Sequence, residues 1–252
     1  MRRVKSSCWI VNTHHGDFLT DRKDFIGRIV YNSYEWEPEL IKIYTALLSP
    51  QYTVLDIGAH MGFHTISFAS KAKQVYAFEP QIHLHNQVCG NVFLNQVSDK
   101  VTCYNVGLGE AEKRSSFGSL DEHNSLNWEG NTGIEVVNYG GRSLEDSLGT
   151  NEIEVKTLDS FQLAPQFIKI DVEGYELKVL QGASKTLQQH SPIILFESFQ
   201  EAQPEVFTLL KSINYEIYNL PGTALHSDFV AIHPQFKDYV SSKEKLESFQ
   251  RV

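Results

Sequence analysis

Val54-Leu-Asp-Ile-Gly-Ala-His-Met-Gly-Phe63 decides the fold. The run from Tyr52 to Ile57 is short and rich in β-branched and aromatic residues, which reads as a buried parallel strand. It breaks into an acid-led turn bracketed by Gly58 and Gly62, and a helix over Phe63 to Lys71 follows. Strand, tight turn and helix N-terminus together make a ligand site, because the first amides of a helix have no partner inside it. Gly58 can take backbone angles closed to other residues, and Gly62 lacks a Cβ where a ligand or the next helix comes close.

The Gly-x-x-x-Gly spacing is not the dinucleotide fingerprint, and Asp56 directly before the turn would repel a pyrophosphate at the same amides. A cofactor carrying positive charge suits this loop better. S-adenosylmethionine has an ammonium and a sulfonium, a carboxylate for the helix amides, and a ribose that needs an acidic hydrogen-bond acceptor. Glu79 is that acceptor by position: it ends the next apolar run, Val75 to Glu79, about twenty residues on, where an acid at the second strand's end meets a ribose.

Working outward, residues 8 to 30 alternate loosely around His14-His15-Gly16-Asp17 and predict a hairpin or two short strands, an N-terminal β extension over 1–33. Tyr34 to Ser49 carries Ile41, Ile43, Tyr44, Leu47 and Leu48 at near-helical spacing, with Glu35 and Glu37 close to the helix start. A long helix from Pro80 places Leu84, Val88, Val92 and Asn95 on one stripe, and Val101 to Val106 is a third strand. Val106 and Gly107-Leu-Gly109 fall beside the expected nucleobase pocket. Between residues 110 and 160 the helical period vanishes, and Ile134 to Tyr139 and Ile153 to Leu158 read as antiparallel strands placed to shape an acceptor pocket. His123, in the polar loop Asp121 to Ser125, reads as a solvated loop histidine rather than a base, having no visible partner. Phe167-Ile-Lys-Ile-Asp-Val-Glu-Gly174 ends a fourth strand in two carboxylates, and a helix carrying Leu177, Leu180, Ala183 and Leu187 follows it. Pro192 to Glu197 is a fifth strand, and Ile213 to Leu220 and Asp228 to Ile232 pair antiparallel around Pro221-Gly222. The alternation predicts an α/β fold: a mostly parallel, seven-stranded, Rossmann-like sheet with helices on both faces and an antiparallel β elaboration between strands three and four. The main domain spans 34–232, with a polar tail over 233–252.

The 252 residues suit one large domain. Against 31 Asp+Glu there are 22 Lys+Arg, and the net charge of −9 disfavours a nucleic-acid partner. Cys8, Cys89 and Cys103 are odd in number and scattered, so they predict reduced thiols rather than a disulfide framework or zinc site. The apolar run Cys8 to Val11 is too short for a signal peptide's core and no segment is long enough to span a membrane, which makes the cytoplasm the expected compartment. Neither His14-His15 nor His60 and His64 argue for a metal: the first pair sits at a turn, and the second lacks the general-base glutamate of the His-Glu-x-x-His motif.

Val54-Leu-Asp-Ile-Gly-Ala-His-Met-Gly-Phe-His-Thr65, Ala77-Phe-Glu-Pro80, Thr157-Leu-Asp159 and Ile168-Lys-Ile-Asp-Val-Glu-Gly-Tyr-Glu176, followed by Leu180-Gln-Gly182 and Phe196-Glu197, resemble the FkbM-type S-adenosylmethionine-dependent methyltransferases. The resemblance runs from about Tyr34 to Glu197. It implies the class I methyltransferase fold and methyl transfer to hydroxyl oxygens of sugars, polyketides and other small molecules. It also implies that Asp56, Gly58, Ala59, His60, Gly62 and Glu79 hold the cofactor and that the Tyr34-Glu35 segment closes over it. The chain departs from the pattern at His60, where the family usually carries asparagine; an imidazole still donates a hydrogen bond, and its protonation can make cofactor affinity depend on pH.

Methyl transfer is an in-line displacement, so positioning is the enzyme's main contribution. An alcohol holds its proton tightly, and Asp171 or Glu173 at the strand's end is placed to accept it. The bland alternative makes Asp171 a helix cap and Glu173 a loop support. The leading expectation is an O-methyltransferase acting on a small molecule or glycan. Its rivals are an RNA ribose 2'-O-methyltransferase that recruits Lys169, and a cofactor-binding scaffold without turnover.

Overall fold

The chain enters through a hairpin, β1 (Cys8–Thr13) and β2 (Gly16–Asp21), with the two-residue strand Arg2–Arg3 on the outer edge of β1. The next residues leave the expected strand pattern and form α1 (Phe25–Ser33). Ile26 and Val30, like Phe25 and Ile29, stand four apart, a helical repeat that short-range alternation hides. Asp24 caps this helix, its Oδ2 accepting the Gly27 N–H at 2.7 Å.

The main unit follows with α2 (Pro38–Leu47), β3 (Thr53–Ile57), α3 (Phe63–Ala69), β4 (Gln74–Phe78), α4 (Ile82–Leu94) and β5 (Val101–Tyr104). A side sheet is built from β6 (Gly107–Leu108), β7 (Lys113–Phe117), β8 (Glu152–Lys156) and the short strand Leu144–Glu145. The chain then returns through β9 (Phe167–Ile170), α5 (Glu176–Gln181), α6 (Ser184–His190), β10 (Ile193–Ser198), α7 (Gln203–Ser212), β11 (Glu216–Asn219) and β12 (Ser227–Ile232). A last two-residue strand, β13 (Gln250–Arg251), comes from the tail. The structure is a computed structural model and describes residues 1–3, 7–117, 125–126, 136–141, 144–145, 152–220, 227–237 and 250–252. The loop residues 121–124 with His123, residues 134 and 135 of the Ile134 to Tyr139 stretch, and the Pro221-Gly222 turn lie outside them.

The main sheet has the order β13-β11-β12-β10-β9-β3-β4-β5. The five strands from β10 to β5 are parallel, and β12, β11 and β13 add antiparallel. This is the expected Rossmann-like sheet with helices on both faces; the tail supplies an eighth short strand by pairing with Tyr218 and Asn219.

Strand alternation sends Val54 and Phe167 to one face, with Tyr44, Phe68 and the hairpin's Phe18, and Leu55, Ile57, Ile168 and Ile170 to the other, with Val179, Leu187 and Leu210. The N-terminal unit therefore shares the core rather than hanging from it. Phe18 is fully buried and stacks on Phe63 with ring centroids 4.5 Å apart, a burial that contributes about 2 kcal/mol. The free edge of β2 is satisfied by α4 side chains. Asn91 Oδ1 accepts the Leu19 N–H at 2.7 Å, Gln87 donates to the Leu19 carbonyl at 2.7 Å, and Asn95 both accepts from and donates to Asp17. Asn95 thus serves as a polar clamp at the end of α4, not as part of an apolar stripe.

The single helix expected through Leu177 and Leu187 is two. A Cβ on Gly182, at the break, would lie 1.9 Å from the Gly109 carbonyl oxygen, so the chain bends where it meets the side sheet. Asp159 then caps α6, accepting the N–H groups of Lys185 at 3.0 Å and Thr186 at 2.8 Å. The helix α7 was not legible as a separate element in the sequence.

Candidate active site

β3 runs to β4 and β5 on one side, while β9 and β10 lie on its other side, so the carboxyl ends of β3 and β9 bound a crevice where the chain order reverses. A cavity of about 640 Å3, counting its open mouth, sits there. Gly58, His60, Glu79, Val106, Asp171 and Glu173 all line it. Its apolar wall includes Phe78, Val106, Leu108, Phe117 and Leu144.

Gly58, at φ +83°, is required by the fold itself: a Cβ there would lie 1.8 Å from the Asp171 carbonyl oxygen, so the turn and the end of β9 touch backbone to backbone. Gly62, at φ +87°, faces Val88 of α4 rather than the cavity. Ala59 is buried and lies outside the lining; its N–H, like that of Gly58, goes to the Phe78 carbonyl. Asp56 is fully buried beneath the loop, also outside the lining. Its Oδ2 accepts the Thr65 hydroxyl at 2.5 Å and its Oδ1 lies 4.0 Å from Lys169 Nζ, so it holds α3 and β9 to β3.

Glu79 is 4% exposed, and each of its oxygens accepts one backbone N–H at 2.8 Å, from His60 and from Gln81. A carboxylate has about four lone-pair sites, so both oxygens keep capacity for a ligand's hydroxyls. Burial pushes this carboxyl up to about 7, against the pull of His60 and the two amides. Around it, Gln81 Oε1 and His60 Nδ1 are buried with no hydrogen-bond partner. Buried polar atoms left unmatched beside an acid and an aromatic wall fit a nucleoside, with a diol for Glu79, a polar edge for Gln81 and a purine against Phe78 and Val106. The residues therefore fit S-adenosylmethionine.

At the end of β9, Lys169 Nζ donates to Asp171 Oδ2 at 2.8 Å, and Asp171 shares a hydrogen bond with Glu197 at the end of β10. Burial raises the Asp171 carboxyl, but Lys169 and the Glu197 bond outweigh it and hold it down at about 2. Burial and the Asp171 charge push Glu197 up to about 10, so the proton of this pair resides on Glu197. Glu173, at φ +54°, is pushed up to about 8 by burial and then by Asp171 and Glu176. Carboxylate oxygens of Asp171, Glu173 and Glu197 lie within 4.8 Å of one another. Asp171 caps no helix; the loop after β9 is held by Glu176, whose Oε1 accepts the Gly174 N–H at 3.0 Å.

Glu35 is exposed and outside the cavity, its backbone tied to the Ser33 hydroxyl. Glu37 takes the inward place. Its Oε2 lies 3.0 Å from His64 Nε2, His64 Nδ1 lies 3.2 Å from the Tyr44 hydroxyl, and Glu37 borders a small cleft with Lys169, Asp171, Glu197 and Asp228. Sequence reasoning missed Ile26, Gln81, Phe117, Gly140 and Leu144. Gln81 follows the strand-ending acid and could have been found; Ile26 and Gly140 reach the site only through tertiary packing.

Residues 56–218 match the profile described as the Methyltransferase FkbM domain. Over 159 residues the chain is 24% identical to the hexuronic acid methyltransferase AglP of Haloferax volcanii, covering 63% of this chain and 61% of that protein. Over 73 residues it is 33% identical to the AMB antimetabolite synthetase AmbE of Pseudomonas aeruginosa, covering 28% of this chain and 3% of that protein. The chain thus spans about three-fifths of the first relative and a small fraction of the second. The solved structure of a methyltransferase FkbM from Methylobacillus flagellatus KT superposes with a TM-score of 0.53 at 18% identity, over 74% of this chain and 47% of that one.

Proposed function

The chain belongs to the FkbM family of S-adenosylmethionine-dependent methyltransferases, and from that premise we propose that it transfers a methyl group to a hydroxyl oxygen of a small molecule or glycan. One observation carries this reading: a single cavity joins Glu79, at the end of β4, to the Asp171 and Glu173 carboxyls two strands away. The first is suited to a ribose and the second pair to a reacting hydroxyl.

Bound in this cavity, S-adenosylmethionine supplies an electrophilic methyl group. Glu79 would hold the ribose hydroxyls, Gln81 and the wall of Phe78, Val106 and Leu108 the purine, and the ionised Asp171 the cationic end. Asp171, kept ionised by Lys169, orients the acceptor hydroxyl as a hydrogen-bond acceptor. Glu173 takes the proton as the new carbon–oxygen bond forms, since a carboxyl poised near neutral pH is suited to that transfer. The Haloferax relative is named for a hexuronic acid, which makes sugars bearing that group the first acceptors to try.

The test is calorimetric titration with S-adenosylmethionine, followed by a screen of hexuronic acids, neutral sugars and other polyols for release of S-adenosylhomocysteine. Folded protein that shows no binding up to about 1 mM cofactor would sink the proposal. Cofactor binding with methyl transfer only to nitrogen acceptors would move it to another class. Among the described residues no helix is long and apolar enough to cross a membrane.

A further inference from the structure

The N-terminal hairpin and α1 precede the matched residues 56–218. They nevertheless grip the cofactor loop from two sides. On one side Asn91, fully buried on α4, accepts the Leu19 N–H of β2 at 2.7 Å and donates to the Met61 carbonyl of the loop at 2.8 Å. On the other side Asp24, 1% exposed, caps α1 with Oδ2 and turns Oδ1 toward the loop, 3.4 Å from His60 Nε2. That Oδ1 has no closed hydrogen bond. Next in the same turn, Ile26 lines the cavity. Gly140 lies so close that a Cβ on it would sit 3.4 Å from both His60 Cδ2 and Ile26 Cδ1.

His60 is itself held at φ +50°, a left-handed conformation that a non-glycine residue adopts at a cost of about 1 kcal/mol or more. Its backbone N–H is spent on Glu79, so its ring is what it can offer a ligand. The charged groups facing that ring are Asp24 from the start of α1, Glu79 from the end of β4, and Asp171 and Glu173 from beyond β9. Tyr139, beside Gly140, packs edge-on against His83 instead.

We propose that Asp24 is a positioning residue for the cofactor: it anchors His60 Nε2 so that Nδ1 is presented to the cavity, which makes the N-terminal unit part of the cofactor site. The proposal rests on reading the cavity as the S-adenosylmethionine site. An imidazole whose Nε2–H is held by a carboxylate offers Nδ1 as a donor when the ring is charged and as an acceptor when it is neutral. Burial lowers the affinity of the ring for its second proton, but Asp24, Glu79 and Asp171 outweigh burial and raise it.

The experiment is titration with S-adenosylhomocysteine from pH 5.5 to 9 on wild type, Asp24→Asn, His60→Asn and the double variant, with thermal melts as controls. Asn is as good a cap as Asp, so Asp24→Asn removes the charge and keeps α1. Wild-type affinity should show, beside the titrations of Glu79 and Glu173, an inflection that belongs to His60. Asp24→Asn should move it about one pH unit lower and weaken binding about tenfold. His60→Asn should abolish the inflection, and Asp24→Asn should then cost nothing further. An Asp24→Asn protein that binds like wild type throughout, or whose loss is the same with and without His60, overturns the proposal. Wild type that binds nothing overturns the reading of the cavity as well. Ile26→Ala, at a partly buried position whose truncation the fold can absorb, should independently weaken binding several-fold, and binding unchanged in it and in Asp24→Asn also overturns the proposal.

Discussion

Lys169 Nζ lies 2.8 Å from Asp171 Oδ2, and the same ammonium lies 4.0 Å from Asp56 Oδ1 on the neighbouring strand. Lys169 and Asp56 are paired across β9 and β3, and both are at most 3% exposed. One buried cation therefore balances the acid that leads the cofactor turn and the acid that ends the acceptor side.

Removing that cation leaves the fully buried Asp56 carboxylate, and the partly buried Asp171 beside it, without their counter-charge. Lys169→Met should destabilise the fold by about 3 to 5 kcal/mol, the usual result of breaking a buried pair from one side. Urea denaturation measures it. Pairing the change with Asp56→Asn should recover part of the loss, because one uncompensated charge disappears. A Lys169→Met protein as stable as wild type would mean that water reaches this site.

Glu173 is the group proposed to take the acceptor's proton. Glu173→Gln preserves the shape and removes the base, so kcat should fall about 10²- to 10⁴-fold while cofactor affinity changes little. In wild type, kcat/KM should rise with pH as Glu173 loses its proton and level off near or above pH 8, in line with its raised carboxyl. The rise should be absent from the residual activity of the variant. A variant within twofold of wild type would leave positioning alone to account for transfer.

The parallel strands were legible because each is an apolar run ending in a turn or an acid, and burial on both faces demands that pattern. The same holds for Glu79 and for Asp171 with Glu173, which end strands where a reversing chain order opens a crevice. Asp24, Glu37 and Gly140 were not legible in their present places. Asp24 looks like any helix cap, and the 35 residues between it and His60 carry no signal that the two meet. Glu35 and Glu37 are equivalent on paper; the left-handed turn at Glu37, just before Pro38, decides that Glu37 points in toward His64. An acid directly before a glycine turn suggests a ligand contact for Asp56, whereas strand alternation puts its side chain under the loop, against Thr65 and Lys169.

Glu176 gives stability a dependence on pH. It is 1% exposed, and burial pushes its carboxyl up to about 7 from 4.5, against the amide bonds from Gly174 and Val172. The folded state therefore keeps a proton that the unfolded chain has released. The associated stability is full below about pH 4.5 and is lost as pH rises through 7. Glu176→Gln keeps an acceptor for the Gly174 N–H and cannot ionise. Relative to wild type, it should gain roughly 1 to 3 kcal/mol between pH 5 and pH 8, read from denaturation midpoints at each pH. A difference that stays flat with pH would place the titrating group elsewhere.

Gly182 and Gly109 set the distance between the α5–α6 corner and the strand that walls the cavity. Gly182 has φ −74°, open to any residue, so Gly182→Ala tests contact alone: its Cβ would sit 1.9 Å from the Gly109 carbonyl oxygen and 2.9 Å from the carbonyl carbon. Backbone cannot swing aside as a flexible side chain can, so either the corner or the end of β6 must move. The variant should lose about 3 kcal/mol, at the upper end of overpacking costs, and should bind cofactor more weakly because Gly107 and Leu108 line the pocket. Gly90 is the control. It lies within α4 with nothing within 4 Å of its added Cβ, so Gly90→Ala should raise stability by about 0.5 to 1 kcal/mol through helix propensity and leave binding alone. If both variants shift the melting temperature upward, β6 yields to the corner at no cost and the close approach is incidental; opposite shifts tie the cavity wall to the glycine.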